Sequence, residues 1–303
     1  MTNTGTLKPS ASGETRLRLP DGRSVEVHQL AVADDTARTI VFCHAAPGAG
    51  TFDPAPEETA TRSVGLIAVD RPGYGGSDAL QPHEWLSVDR AADDMAAVLR
   101  DRGIERAGVA GWSAGGRVAL ALAARHPELV DRVAVVATPA PDEVVSWIPP
   151  QQRDALEALR GMPAAEVHAA LSEQMAGLVP ADPAAPDALS LIGGGPADQQ
   201  VSSQADVRDR LVTMFREAFA QGATGMVADI AGYCLRPWGF EPDEVRQKAL
   251  LVYGARDPIA GSKHGRWWQH ELPNARLEMV PDAGHLVIVP MWKRVLSFLA
   301  PGR

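Results

Sequence analysis

Gly111-Trp112-Ser113-Ala114-Gly115-Gly116 sets a serine between glycines at the spacing Gly-x-Ser-x-Gly. With 14 serines and 28 glycines in 303 residues, chance supplies roughly 0.12 such matches, so the pattern gains weight only from its setting. The apolar run Ala107–Ala110 leads into it and a helical pattern, Ala114–His126, follows before Pro127. Strand, turn and helix around the serine are what a nucleophile elbow requires. The tight turn would hold Ser113 in a strained backbone conformation above the sheet, and a side chain at 111 or 115 would collide with neighbouring backbone. The start of a helix also favours negative charge, which suits an attacking oxygen and the oxyanion it creates.

A hydroxyl is a poor nucleophile near neutral pH; it needs a base, and the base needs a group that orients it. With a nucleophile elbow, the order along the chain is serine, acid, histidine. Three of the eight histidines come late in the chain. His264 and His270 fall on a helical pattern, Lys263–Leu272, and read as surface or half-buried residues. His285 lies in Pro281-Asp282-Ala283-Gly284-His285, the loop leaving the strand-like run Arg276–Val280. Asp257 leaves another such run, Leu250–Tyr253, in Gly254-Ala255-Arg256-Asp257-Pro258. Both loops emerge at the C-terminal edge of a parallel sheet, where sites of open α/β sheets form. Asp282 is the competing acid, but so close to His285 it reads as a turn residue. The catalytic assignment is therefore Ser113 as nucleophile, His285 as base and acid, and Asp257 as its orienter. One oxyanion donor is expected from the Ala114 N–H, and another from the small-residue loop His44-Ala45-Ala46-Pro47-Gly48-Ala49-Gly50.

The elements that must position these groups show in the apolar periodicity. Arg16–Leu19 and Ser24–Ala31 flank Pro20-Asp21-Gly22 as a hairpin. Thr39–Cys43 and Leu66–Val69 are continuous apolar runs, as expected of strands covered on both faces. From Ser87 to Arg102 the period becomes helical, with Val88, Ala91, Ala92, Met95, Val98 and Leu99 on one face and Gly103 as the stop. Arg132–Ala137 reads as a strand and Met291–Leu299 as a final helix. Strands alternating with helices predict an α/β fold with a mostly parallel sheet, helices on both faces and an antiparallel lead-in. Residues 141–247 carry no strand-like run and show amphipathic helical patterns broken by proline and by Gly193-Gly194-Gly195-Pro196, as in a helical insertion or lid. The predicted organisation is a flexible tail over 1–14, a core over 15–140, the helical cap over 141–247 and the rest of the core over 248–303.

Composition narrows the function classes. The chain carries 29 Lys and Arg against 38 Asp and Glu, a net charge of −9 that disfavours nucleic acid as a partner. Residues 141–247 alone hold 16 acids and 7 arginines, so the acidity belongs to the insertion. The longest apolar run, Val118–Ala124, is far short of the roughly 18 residues of a membrane span. A polar opening, Met1–Glu14, reads as no signal peptide. Two cysteines, Cys43 and Cys234, form no scaffold and have no metal-ligand spacing, which suits a reduced cytoplasm.

These motifs resemble those of the α/β-hydrolase fold superfamily, in its lid-bearing serine hydrolase branch, over nearly the whole chain from about residue 15. Asp70-Arg71-Pro72-Gly73-Tyr74-Gly75-Gly76-Ser77 is similar to the family's Asp-x-x-Gly-x-Gly-x-Ser loop, and His44-Ala45-Ala46-Pro47 to its His-Gly-x-Pro oxyanion loop. The resemblance implies an eight-stranded sheet, a helical cap and Ala46 as the second oxyanion donor. Ala45 stands where the family commonly has glycine, so a left-handed backbone there would be strained. Serine at the elbow separates the chain from haloalkane dehalogenases and epoxide hydrolases, which use a carboxylate there.

The expected activity is cofactor-free and metal-free hydrolysis of a carboxylic ester or related acyl compound through an acyl-enzyme on Ser113. The substrate is expected to be a small neutral molecule, because an acidic cap disfavours anions. Trp112, Trp147, Met175, Phe215, Tyr233 and Trp238 are candidates to line its pocket. The same three catalytic groups would also serve a perhydrolase, a lactone or carbon–carbon bond hydrolase, or a lyase. A ligand-binding protein with a silent triad is the reading from another class. Oligomeric state leaves no mark on the sequence.

Overall fold

A computed structural model describes residues 14–32 and 38–302 of the chain. The predicted tail therefore falls almost wholly outside the described residues, and residue 14 already belongs to the first strand. In chain order the elements begin β1 (Glu14–Arg18), β2 (Ser24–Ala31), β3 (Thr39–Cys43), α1 (Pro56–Arg62), β4 (Gly65–Val69), α2 (Val88–Asp101), β5 (Ala107–Trp112), α3 (Ala114–Arg125) and β6 (Val130–Val136). Six α-helices follow among the described residues: α4 (Pro150–Leu159), α5 (Ala164–Met175), α6 (Pro186–Leu189), α7 (Pro196–Ser202), α8 (Ala205–Ala218) and α9 (Thr224–Leu235). The chain then returns through β7 (Lys248–Gly254), α10 (Ser262–Glu271), β8 (Ala275–Val280) and α11 (Ile288–Leu299).

The eight strands form one sheet in the order β1-β2-β4-β3-β5-β6-β7-β8. Strand β2 runs antiparallel to β1 and β4, and the remaining pairs are parallel. Alternation along the strands explains why the sequence shows unbroken apolar runs. Ile40, Phe42, Ala110, Trp112, Ala134, Val136, Leu250 and Val252 enter one core, and their neighbours Val41, Cys43, Val109, Val133, Val135, Leu251 and Tyr253 enter the other. The second core takes α2, α3 and α10 through Met95, Leu99, Val118, Leu122 and Trp268. The first takes α11 through Trp292, Leu296 and Leu299, together with residues of the inserted helices such as Leu171, Leu211 and Phe215. Each inner strand from β3 to β7 thus needs apolar side chains pointing both ways, at about 0.8 kcal/mol per buried methylene.

Two details of the packing set the site. Gly108 lets β5 lie close to its neighbours, since a Cβ there would sit 2.9 Å from Ile40 Cδ1 and 3.0 Å from Leu299 Cβ. Helix α2 opens on Ser87, whose hydroxyl accepts from the Arg90 N–H, and its apolar face lies on α3, which carries the candidate nucleophile at its N-terminus. Among the described residues no helix is long and apolar enough to cross a membrane. Helix α1 and the first three residues of α11 were not anticipated: α1 opens on Pro56, and Pro290 sits inside the first turn of α11, where a missing N–H is harmless.

Candidate active site

Strand β5 ends at Trp112, and the next residue, Ser113, adopts φ 54° and ψ −124° before α3 begins. A non-glycine residue with positive φ is strained, and the neighbours force this one. The Ser113 N–H donates to Val136 O at 2.8 Å, and Ser113 O accepts from the Gly116 N–H at 3.0 Å. A Cβ on Gly111 would lie 2.4 Å from Gly115 O, and one on Gly115 2.1 Å from Cys43 O. Nothing but glycine fits either place, so the glycine spacing follows from the close approach of α3 to β3 and β5.

Three strand ends bring three polar side chains together. Ser113 Oγ lies 2.9 Å from His285 Nε2, and His285 Nδ1 lies 2.8 Å from Asp257 Oδ2. A carboxylate only accepts, so Nδ1–H donates to Asp257 and the Ser113 hydroxyl donates to Nε2. Asp257 Oδ1 accepts from the N–H groups of Ile259 and Ala260 at 2.8 and 3.0 Å, which fixes the carboxylate. Trp112 Nε1–H holds the backbone of His285 through its carbonyl at 3.0 Å. Burial alone would lower the His285 pKa, but the charge and hydrogen bond of Asp257 outweigh it and leave the imidazole above its ordinary value. Asp257 is held below the usual carboxylate range: burial raises it, and His285 with the two backbone donors more than reverses this.

The competing residues sit elsewhere. His264 is buried, not at the surface; its Nδ1 accepts from the Ala140 N–H at 3.0 Å, and burial pushes its pKa down to about 4. His270 is exposed beside Glu271, and Asp282 pairs at the surface with Arg256 at 2.7 Å.

A cavity of about 190 Å³ opens onto Ser113 and His285 and is lined also by Ala46, Ala114, Trp147 and Tyr233. The other pocket candidates lie off it. Phe215 is fully buried and stacked on Phe219 at 6.0 Å; Met175 points into the core; Trp112 lies beneath the imidazole. Trp238 faces a separate outer cavity and stacks on Trp268. An amphipathic helix shows which face is apolar, not what that face meets, and these four side chains are core or support. Ala45 needs no glycine: the non-glycine residues with positive φ among those described are Ser63, Ser113 and Ala137.

Sequence reasoning missed the groups that hold the oxyanion loop. The buried Arg71 guanidinium donates to His44 O at 2.7 Å, to Ala45 O at 2.8 Å and to Asp229 of α9 at 2.7 to 3.2 Å. Tyr74 OH donates to the same carboxylate at 2.9 Å. Burial, joined by the Arg71 charge, holds the His44 pKa well below its ordinary value, so this imidazole stays neutral. Its Nδ1–H donates to Ala45 O while its Nε2 accepts from the Arg71 N–H.

Asp198 of α7 was also unforeseen. Its Oδ1 accepts from the Leu286 N–H at 2.7 Å, and its charge helps raise the His285 pKa. A base works only when neutral, so a raised pKa moves the acidic limb of the rate to higher pH. Asp198→Asn keeps the backbone acceptor and removes the charge; the acidic limb of kcat/KM is expected to move to lower pH. A pH–rate profile checks this, and an unmoved limb contradicts it.

A strand-end serine on a strained turn, hydrogen-bonded to a histidine fixed by a carboxylate, is the constellation of a serine hydrolase set on a mostly parallel α/β sheet. The family model described as "alpha/beta hydrolase fold" matches residues 38–290, and the chain belongs to that family; it is a hydrolase. A pimeloyl-[acyl-carrier protein] methyl ester esterase from Chromobacterium violaceum is 32% identical over 243 residues, which span 78% of this chain and 82% of that one. One of the same name from Nitrosomonas europaea is 28% identical over 252 residues, 81% of this chain and 88% of that one. Among solved structures, a hydrolase from Pseudomonas aeruginosa superposes with a TM-score of 0.70 at 20% identity, over 97% of this chain and 100% of that one, which shows likeness of fold.

Proposed function

We propose that the protein hydrolyses carboxylic esters through an acyl-enzyme on Ser113. The observation that carries this reading is the chain from Ser113 Oγ to His285 Nε2 and from His285 Nδ1 to Asp257, with the hydroxyl facing the 190 Å³ cavity. The curated relatives named as methyl ester esterases support an ester as the scissile group.

In the first half-reaction, Ser113 Oγ bonds to the ester carbonyl carbon while its proton passes to His285 Nε2. The carbonyl oxygen becomes an oxyanion. Ala114 is the first residue of α3, whose leading N–H groups have no partner within the helix, and Ala46 lines the same cavity. Their N–H groups are the donors for that oxyanion, with the helix dipole adding to the field. Collapse breaks the carbon–oxygen bond, and His285 returns the proton to the departing alcohol. Water then attacks the acyl-enzyme, losing its proton to His285, and the acid is released. Asp257 keeps the imidazole in the required tautomer and stabilises its cation. No step calls for a metal or an organic cofactor. The helices between β6 and β7 act as a cap, since Trp147, Ile192 and Tyr233 line the cavity from that segment.

A panel of p-nitrophenyl esters of graded chain length, with amides and lactones alongside, tests the reading. Short esters are expected to turn over fastest, because the cavity holds few carbons. Turnover of lactones or amides with no measurable ester hydrolysis would overturn it.

A further inference from the structure

Arg117 lies in the first turn of α3, four residues after Ser113, and lines the same cavity as the serine; helical side chains lean back toward the N-terminus. It is only 2% exposed. Its guanidinium aims Nε and Nη2 at one carbonyl, Pro139 O, at 3.4 and 3.2 Å, and Nη1 makes no hydrogen bond among the described residues. No carboxylate of the described residues reaches ion-pair distance. The acids around the neighbouring outer cavity are engaged or distant: Asp142 holds Arg153 at 2.6 Å, Glu157 holds Arg160 at 2.8 Å, and Glu143 is exposed. The contrast with the other fully buried arginine, Arg71, is direct, since that one has Asp229.

A buried cation without a counter-charge is costly to keep. Aromatic faces offset part of that cost: the guanidinium carbon lies 4.4 Å from the Trp238 ring centre, 5.3 Å from that of Tyr233 and 5.7 Å from that of Trp147. Stacking of this kind fixes the plane of the guanidinium and leaves its edge free, the geometry that takes a carboxylate. The residue also lines both the catalytic cavity and the adjoining outer cavity of about 680 Å³.

We propose that Arg117 binds a carboxylate of the substrate, so that the preferred esters are half-esters of short dicarboxylic acids, with the ester carbonyl at Ser113 and the free carboxylate on Arg117. This rests on the ester-hydrolase reading of Ser113 and adds the substrate class. Ser113 and Arg117 line the same cavity of about 190 Å³, which leaves room for only a short chain between the two groups. It also reverses the expectation of a neutral substrate drawn from the acidity of residues 141–247. Solvated surface charges are screened within about 10 Å, whereas a buried guanidinium at the cavity wall is not.

The test compares monomethyl succinate, glutarate and adipate with neutral methyl esters of equal chain length, such as methyl pentanoate against monomethyl glutarate. The native protein is expected to favour the half-ester by at least ~10-fold in kcat/KM, and Arg117→Gln to reduce that ratio on the order of 10²-fold, with Arg117→Lys in between. Glutarate is expected to bind the Ser113→Ala protein by calorimetry and to lose that binding when Arg117→Gln is added. A native preference for the neutral ester, or a ratio unchanged in a folded Arg117→Gln protein, overturns the proposal. Should Arg117→Gln not fold, the native ratio and glutarate binding, with Arg117→Lys, decide it. Absence of hydrolysis of every ester would instead count against the Ser113 reading, and glutarate binding to the Ser113→Ala protein would still decide for or against Arg117.

Discussion

Replacing Ser113 by alanine is expected to lower ester turnover on the order of 10⁶-fold, the scale seen when the serine of a cooperating triad is removed. In the proposed mechanism the hydroxyl is the atom that bonds to substrate, and among the described residues no other side chain hydrogen-bonds His285 Nε2 to replace it. Stability should change little, because the strain at Ser113 is held by glycine-lined contacts that survive the substitution. The measurement is steady-state hydrolysis of a short p-nitrophenyl ester beside a thermal melt of the same preparation. A variant that melts normally and retains near-native turnover would remove the serine from the mechanism.

The second large effect is expected at Arg71. Arg71→Met leaves the Asp229 carboxylate buried with, among the described residues, only the Tyr74 hydroxyl as a side-chain partner. Removing one member of a buried ion pair costs about 3–5 kcal/mol, more than the pair contributes relative to an apolar replacement. Arg71→Met combined with Asp229→Leu should therefore recover a large part of the loss, because both charges are gone. Activity should not recover with it, since the guanidinium also holds His44 O and Ala45 O, and with them the loop that carries the Ala46 N–H. Chemical denaturation of the two single variants and the double variant, run beside kcat/KM, separates the two effects. A loss below about 1 kcal/mol for Arg71→Met would contradict the clamp, since surface-like pairs fall in that range.

The sheet was largely legible because parallel strands covered on both faces must be apolar throughout, and TIVFC at 39–43 and LLVY at 250–253 are too short for buried helices and rich in β-branched and aromatic residues. Glycine spacing around Ser113 was legible for a similar reason: backbone oxygens 2.4 and 2.1 Å from where a Cβ would sit exclude every other residue at 111 and 115. Strand order was harder, since β3 slips between β4 and β5 and no local pattern marks such a crossover. Partners far apart in sequence left no trace either. Arg71 and Asp229 are separated by 158 positions, and each alone looks like a solvated charge. Arg117 had a weak signal in retrospect, as the one charge in the apolar stretch Gly115–Ala124, one turn after the nucleophile. Met175 and Phe215 misled because helical spacing predicts burial without naming the surface buried against.

The bond between reagent and serine tests the account most directly. A fluorophosphonate should add once per chain, and trypsin should release the adduct on the peptide Ala107–Arg117, whose only serine is Ser113. Labelling should slow by orders of magnitude in His285→Gln, which keeps bulk and loses the base. An adduct on any other residue, or a native protein that takes up no label, would contradict the assignment.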